Sequence, residues 1–352
     1  MIPQFFERLV TYKGCDFVLE VVRKQGLSAL LLDELNCNSE LSTTIKKTPN
    51  GMKQILQMIG ITMEMEQQYI CFVTVVKKLS EFSRSIGIPM MILKGYGLSL
   101  NYPIPAHRAC GDIDIYTFGH QKEFDDAVAK ILGISVNNHS AHHSTFQFEG
   151  FMVENHKTIM EPYGHKEHND LNILLAEEAK MGLRKEDGII LPSYRFNSIH
   201  LLAHMANDFA STGTSLRRAF DWATFVYKAT TESTGGVDWD YVFNITEKFG
   251  MLPFLNAINT VCSKYIGYTT ELFPIRHSTK SWRHREVLDI NASRVFEDLL
   301  KGPETILRPS QTNIFHYCQV KGARFFRNYW KYNMVYREPF ILSLFRQISK
   351  VL

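Results

Sequence analysis

The stretch Gly111-Asp112-Ile113-Asp114-Ile115-Tyr116 alternates polar with apolar side chains. Period two marks a strand with one buried face. On such a strand Asp112 and Asp114 project together, while Ile113 and Ile115 turn into the core. Upstream, the apolar run 88–93 lies between Gly87 and Lys94-Gly95, so it reads as a short buried strand. Leu98 to Tyr102 reads as a short helix stopped by Pro103 and Pro105. Downstream, a helix is predicted from about Gln121 to Leu132. Thr145–Phe148 and Phe151–Lys157 then read as two strands joined at Glu149-Gly150, a hairpin turn. Residues 87–160 thus form a small α/β unit in the order strand, helix, strand, helix, strand, strand.

Helical periodicity surrounds this unit. Phe72, Val75, Val76, Leu79, Phe82 and Ile86 recur at three- and four-residue spacing, predicting a helix from about Thr62 to Ser85. Gly51 and Gly60 bracket a shorter amphipathic segment. Ile199, Leu202, Ala203 and Ala206 form one later helical face, and Leu216, Ala219, Phe220, Ala223 and Val226 the next. The expected class is α+β. The expected division is a helical N-terminal region at 1–86, an α/β core at 87–190 and a helical C-terminal domain at 191–352.

Of the 352 residues, 45% are hydrophobic and 21% charged, enough apolar material for a full core and against a disordered chain. Six cysteines are scattered without a CxxC pair, which argues against a structural zinc site or a disulfide framework and fits a reducing compartment. With no secretory pattern at MIPQFFERLV and no transmembrane-length apolar run, the expected location is cytoplasmic. The net charge of +3 hides an asymmetry: residues 321–352 hold seven Lys/Arg against Glu338 alone.

The chemistry concentrates around the two aspartates. Neighbouring carboxylates repel, and a divalent cation removes that penalty. Mg²⁺ takes one or two carboxylates and completes its shell with water and phosphate oxygens. Glu154, within Val153-Glu154-Asn155-His156, supplies a third carboxylate from a later strand, enough for a second cation. Gly95, at a strand-to-helix turn, lets backbone approach a phosphate chain.

These residues carry a resemblance. The pattern of a Gly at a strand–helix turn, a DxD on the next strand and an acidic residue on a later one is similar to nucleotidyltransferases of the DNA polymerase β type. More narrowly, LKG…YP…R..GDIDI…VENH resembles a bacterial branch of largely uncharacterised nucleotidyltransferases. The motifs span about residues 88–160, and a weaker helical similarity extends to about 260. The resemblance implies a polymerase β-type core that transfers a nucleoside monophosphate from an NTP to an acceptor, with release of pyrophosphate. It implies Mg²⁺ as cofactor, as two ions, with Mn²⁺ the alternative. It places metal ligation on Asp112, Asp114 and Glu154, and triphosphate contact on Gly95. The turn here carries Gly95-Tyr96, where many members have Gly-Ser.

Around that set stand residues with two readings each. Lys94 neutralises phosphate or is a surface lysine. Arg108 pairs with phosphate or with an acidic neighbour. Gly111, directly ahead of the DxD, completes the nucleotide-binding candidates with His156. His156 shares a strand face with Glu154 and either hydrogen-bonds it or touches substrate or metal. His139, His142 and His143 read as a polar loop rather than a zinc site. Gly95-Tyr96-Gly97 lacks the third glycine of a dinucleotide fingerprint, since Leu100 takes its place.

The tail interleaves Arg324, Arg327, Lys331 and Arg337 with Phe325, Phe326, Tyr329, Trp330, Tyr332 and Tyr336. It is either a helix packed on the body or a surface for nucleic acid or anionic membrane. Two other functional readings share these residues: a catalytically inactive NTP- or nucleic-acid-binding module of the same fold, and a toxin-like enzyme that nucleotidylates tRNA or protein. The acceptor is not named by the sequence.

Overall fold

At Gly87 the period of the chain changes, and there the helical N-terminal segment gives way to the sheet. A computed structural model of the chain describes residues 4–160, 166–232, 236–276, 283–303 and 314–336. The chain divides into two units, one of residues 1–161 and 172–197, the other of residues 162–171 and 198–352.

The first unit begins with α1 (Phe5–Lys13), α2 (Cys15–Gln25), α3 (Ser28–Cys37) and α4 (Ser39–Lys46), followed by the long α5 (Gly51–Ser85). The Asn38 side chain caps α4 by accepting from the Leu41 amide at 3.0 Å. α5 runs unbroken through Gly60, where the sequence predicts a boundary. An interior glycine costs only about 1 kcal/mol relative to alanine. Burial of Ile55 and Met58 before it, and of Phe72, Val75, Val76 and Leu79 after it, keeps the helix whole.

Then come β1 (Met91–Ile92), α6 (Tyr96–Ser99), a 3-10 turn at Pro105–His107, β2 (Ile113–Tyr116), α7 (Gln121–Leu132), β3 (His143–Phe148) and β4 (Phe151–His156). After α8 (Lys166–Glu178), which crosses the unit boundary, a hairpin of β5 (Arg184–Glu186) and β6 (Ile189–Leu191) completes the sheet. The strand order is β3-β4-β2-β1-β6-β5. β2 pairs with β4 and β1 with β6 in parallel; the other neighbours are antiparallel.

Both hairpins turn on two residues with positive φ, Glu149-Gly150 and Asp187-Gly188, which matches the twist of the flanking strands. The first fixes Phe148 opposite Phe151 and so sets the register of all of β3 against β4. The sheet and two helices share one core. Phe72, Val75, Val76 and Leu79 of α5 and Phe124 and Val128 of α7 pack with Ile92, Ile113, Ile115, Val153, Ile189 and Leu191.

The second unit is helical. It takes α9 (Tyr194–Ser211) from Ser198 onward, then α10 (Leu216–Glu232), α11 (Trp239–Lys248) and α12 (Leu252–Thr260), which continues into a π-helical turn at Val261–Ile266. α13 (Arg283–Lys301) and α14 (Ile314–Val335) follow. Trp222 is fully buried and donates its indole N–H to Asn259 Oδ1 at 3.0 Å. Asn259 in turn donates to the Pro274 carbonyl at 2.7 Å. Among the described residues, no helix is long and apolar enough to cross a membrane.

Candidate active site

The site is built by strand register. β2 and β4 run parallel with Ile113 opposite Val153, Asp114 opposite Glu154 and Tyr116 opposite His156. Alternation then puts Asp114, Glu154 and His156 on one face, away from Ile113, Ile115 and Val153 in the core. β3 adds a fourth member, since its antiparallel register sets His143 opposite His156.

On the core side of β4, Asn155 holds the strand in place. Its amide donates to Asp125 Oδ1 at 2.9 Å and to the Gln121 carbonyl at 3.2 Å, and its oxygen accepts from Thr117 Oγ1 at 3.3 Å. Burial pushes the Asp125 carboxyl up, against the hydrogen bonds from Asn155 and Ser144 that pull it down. A one-residue slip of β4 would turn Asn155 to the site and Glu154 into the core, so this buried network fixes the face as well as the strand.

Asp114 is the hub. Its Oδ1 lies 2.9 Å from His156 Nε2 and 3.2 Å from Lys94 Nζ. His156 Nε2 is also 3.7 Å from Glu154 Oε2, and His143 Nε2 is 4.0 Å from Glu154 Oε1. Asp114, Glu154 and His156 each offer an atom such that all three lie within 4.8 Å of one another. His156 is 3% exposed, whereas the Glu154 side chain is 27% exposed, so the carboxylate opens outward while the imidazole backs it. His142 packs edge-to-face on His156 with ring centroids 4.8 Å apart, and its Nδ1 lies 2.6 Å from Thr158 Oγ1. His139 is exposed and stays in the loop.

β2 begins at Ile113, leaving Asp112 exposed in the preceding turn. It is not among the gathered ligand atoms.

Lys94, by contrast, is buried against Asp114 instead of lying on the surface. Arg108 is also buried; its Nη1 donates to the Ala109 carbonyl at 3.2 Å and lies 3.7 Å from Cys110 Sγ. Gly111 is exposed, and a Cβ there would meet nothing within 4 Å.

Gly95 has φ +56°, and a Cβ on it would lie 3.2 Å from Phe72 Cζ and 3.5 Å from the Asp112 carbonyl oxygen. Gly97 faces Leu191 Cδ2 at 3.2 Å in the same sense. These glycines let the turn lie close on α5 and β6. The helix they open, α6, is a single turn of four residues. Tyr96 of that turn is buried, and burial pushes its phenol up to about 12.

The loop leading into Asp112 is tied down at His107. Its Nδ1 lies 2.8 Å from Asp33 Oδ2 and its Nε2 2.9 Å from Glu66 Oε1, so one imidazole bridges α3 and α5. Burial works to lower the His107 pKa, but the two carboxylates together outweigh it and raise the pKa.

In the second unit, the described part of the basic aromatic tail is packed along one side. Trp330 meets Phe209 edge-to-face at 5.4 Å and carries the Arg294 guanidinium over its ring at 4.1 Å. Lys331 is buried, with Nζ 2.6 Å from Asp298 Oδ1. Phe326 and Tyr329 are exposed. Arg337 and the residues after it lie outside the described residues, as do the side chains of Arg324 and Phe325.

The model of a family described as uncharacterised nucleotidyltransferase matches residues 14–267, which takes in the described strands and the helices from α2 to α12. No curated protein and no solved structure matches the chain.

Proposed function

The chain belongs to this uncharacterised nucleotidyltransferase family, and from that premise and the geometry of β2 and β4 we propose that the first unit carries a metal-dependent nucleotidyltransferase site. The observation that carries the reading is the convergence of Asp114 and Glu154, backed by His156, on one face of two parallel strands. Two carboxylates and an imidazole within 4.8 Å of one another are a donor set that fits a divalent cation. Mg²⁺ is the ion the family resemblance implies, with Asp114 and Glu154 as ligands and Asp112 joining where a second ion arrives with the nucleotide. A cation held there would polarise the transferring phosphate and acidify the acceptor hydroxyl.

The chain's own residues have distinct tasks. Lys94 neutralises Asp114 before substrate arrives, and its ammonium is placed to turn to an entering triphosphate. His156 fixes the orientation of the Asp114 carboxylate through Nε2. Gly95 allows the backbone to run close beside the Asp112 carbonyl. Arg108, held against its own loop, and Gly111 line the approach to Asp112. The acceptor hydroxyl attacks the α-phosphorus in line, the bond to pyrophosphate breaks and the hydroxyl proton is released. The five free cysteines among the described residues suit a reducing, cytoplasmic setting.

Labelled NTPs incubated with the protein, Mg²⁺ and cell lysate test this reading. Release of pyrophosphate together with transfer of label to an acceptor supports it. Label in tRNA or protein would identify a macromolecular acceptor and bring the exposed side of α14 into play. A second reading has an observation in its favour: Lys94 and His156 both bind Asp114 Oδ1, as suits a nucleotide-binding module of the same fold. Nucleotide binding by calorimetry without pyrophosphate release, across many acceptors, would decide for the module.

A further inference from the structure

The geometry points to a cation site that takes an imidazole nitrogen as well as carboxylates, and so to a first-row transition ion as the preferred occupant over Mg²⁺, with Mn²⁺ as the spectroscopic probe. This deepens the proposed function and rests on it for the location of the site. His156 is the residue that sets the preference. Its Nε2 is the nitrogen between the two carboxylates, 2.9 Å from Asp114 Oδ1 and 3.7 Å from Glu154 Oε2. The ring is buried, so it cannot swing out to solvent and leave an all-oxygen site behind. It is also fixed in β4, with His142 packed against it edge-to-face.

A hard ion such as Mg²⁺ gains little from imidazole, whereas affinity for mixed nitrogen and oxygen donors rises along the first transition row. Two carboxylates, one imidazole and three positions for water or phosphate oxygens complete an octahedron that Mn²⁺ accepts readily. His143, 4.0 Å from Glu154 Oε1, adds a second imidazole at the edge of the same carboxylate. Asp112, outside the gathered atoms, leaves His156 as the third donor from the chain. Binding replaces the Nε2–H···Oδ1 hydrogen bond by coordination, so the imidazole carries its one proton on Nδ1 instead and the Lys94 ammonium moves off Oδ1.

Electron spin-echo spectroscopy on the full chain loaded with Mn²⁺ reads the bond directly. Nitrogen modulation from a coordinated imidazole is expected, and it should change when all histidines are ¹⁵N-labelled. Modulation should be lost in His156→Gln and kept in His143→Gln. In competition titrations Mg²⁺ should displace Mn²⁺ only at more than about a hundredfold excess, and His156→Gln should cost about tenfold or more in Mn²⁺ affinity while changing Mg²⁺ affinity little. Wild-type protein without imidazole modulation overturns the inference even if His156→Gln does not fold. So does modulation that persists in a folded His156→Gln, or equal affinity for the two ions. A protein that transfers nucleotide with Mg²⁺ but shows no nitrogen coupling would sink this inference alone. Nitrogen coupling with no transfer would sink the enzymatic reading and leave the cation site standing.

Discussion

His156 on β4 places its Nε2 2.9 Å from Oδ1 of Asp114 on the neighbouring parallel strand, across a register that pairs Asp114 with Glu154. Asp114 is therefore held from one side by an imidazole and from the other by Lys94 at 3.2 Å. Asp114→Asn keeps an oxygen able to accept one of these bonds but removes the charge on which a cation depends. Transfer activity is expected to fall by at least about a hundredfold, in the range seen when a charge-stabilising group is lost from an active site. The buried Lys94 ammonium loses the Asp114 charge, so the melting temperature should fall as well. Pyrophosphate release and a thermal melt on the same preparation check both halves.

Lys94 is a resident positive charge where a cation would bring another. Lys94→Met keeps most of the apolar stem and removes the ammonium. Without nucleotide, the variant should bind a divalent cation about tenfold more tightly, because like-charge repulsion at this separation in a buried setting is worth more than one decade of affinity. Its KM for NTP should rise, because the charge that meets the triphosphate is gone. Calorimetric titration of the cation alone, set against steady-state KM, separates the two effects; a variant with weaker cation binding would contradict this role.

The His107 clasp makes one part of stability depend on pH. Its folded pKa is raised above the ordinary value of about 6.5. The protonated form is therefore favoured by folding, and the clasp's contribution is fully present below about 6.5 and lost as pH rises through the folded value. His107→Gln removes the titrating charge and keeps hydrogen-bonding capacity. The gap in melting temperature between wild type and His107→Gln should be larger at about pH 6 than at about pH 9. A gap that widens with pH would reverse the assignment.

Much of this architecture is legible in local pattern because period and turn chemistry are local properties. Glu149-Gly150 announces its hairpin, and Gln121 to Leu132 matches α7 to the residue. The strands around Asp187-Gly188 escape that reading, although Asp-Gly is a strong hairpin signal. Arg184-Lys185-Glu186 has no apolar alternation, because as an edge strand it buries little. Gly60 reads as a boundary because the packing that carries α5 past it involves residues far along the chain. At the site, alternation alone sets Glu154 and His156 on one face. That His143 stands opposite His156 depends on the β3–β4 register, and that Lys94 reaches Asp114 depends on β1 lying beside β2. Such cross-strand relations leave no trace in spacing.

Gly95 tests how tightly the turn is built. A side chain at φ +56° is strained, and its Cβ would press on Phe72 Cζ at 3.2 Å. Gly95→Ala should cost about 1–3 kcal/mol, the usual range for a non-glycine residue held in a sparsely populated conformation. Phe72→Leu in the same chain removes the ring atom and should recover part of the steric share but not the conformational share. Denaturant unfolding of the two single variants and the double variant measures the coupling. Full additivity would mean that the ring does not confine the turn.

The last prediction concerns the tail, where charge invites a binding role and burial assigns a structural one. Lys331 Nζ sits 2.6 Å from Asp298 Oδ1 and 5.2 Å from the Phe209 ring centre, with the Lys331 side chain 5% exposed. A buried pair broken on one side leaves an uncompensated charge, which costs about 3–5 kcal/mol, whereas replacing both partners by neutral groups costs far less. Lys331→Met should therefore destabilise the protein strongly, and Lys331→Met with Asp298→Asn should recover most of the loss. A solvated lysine that serves nucleic acid would give the opposite pattern: no change in unfolding midpoint for Lys331→Met and a shallower salt dependence of binding. Chemical denaturation of the three variants, with RNA binding measured at two salt concentrations, distinguishes these outcomes. The packing of Trp330 against Phe209 and under the Arg294 guanidinium favours the first, because the indole face that carries Arg294 is not open to a stacking base.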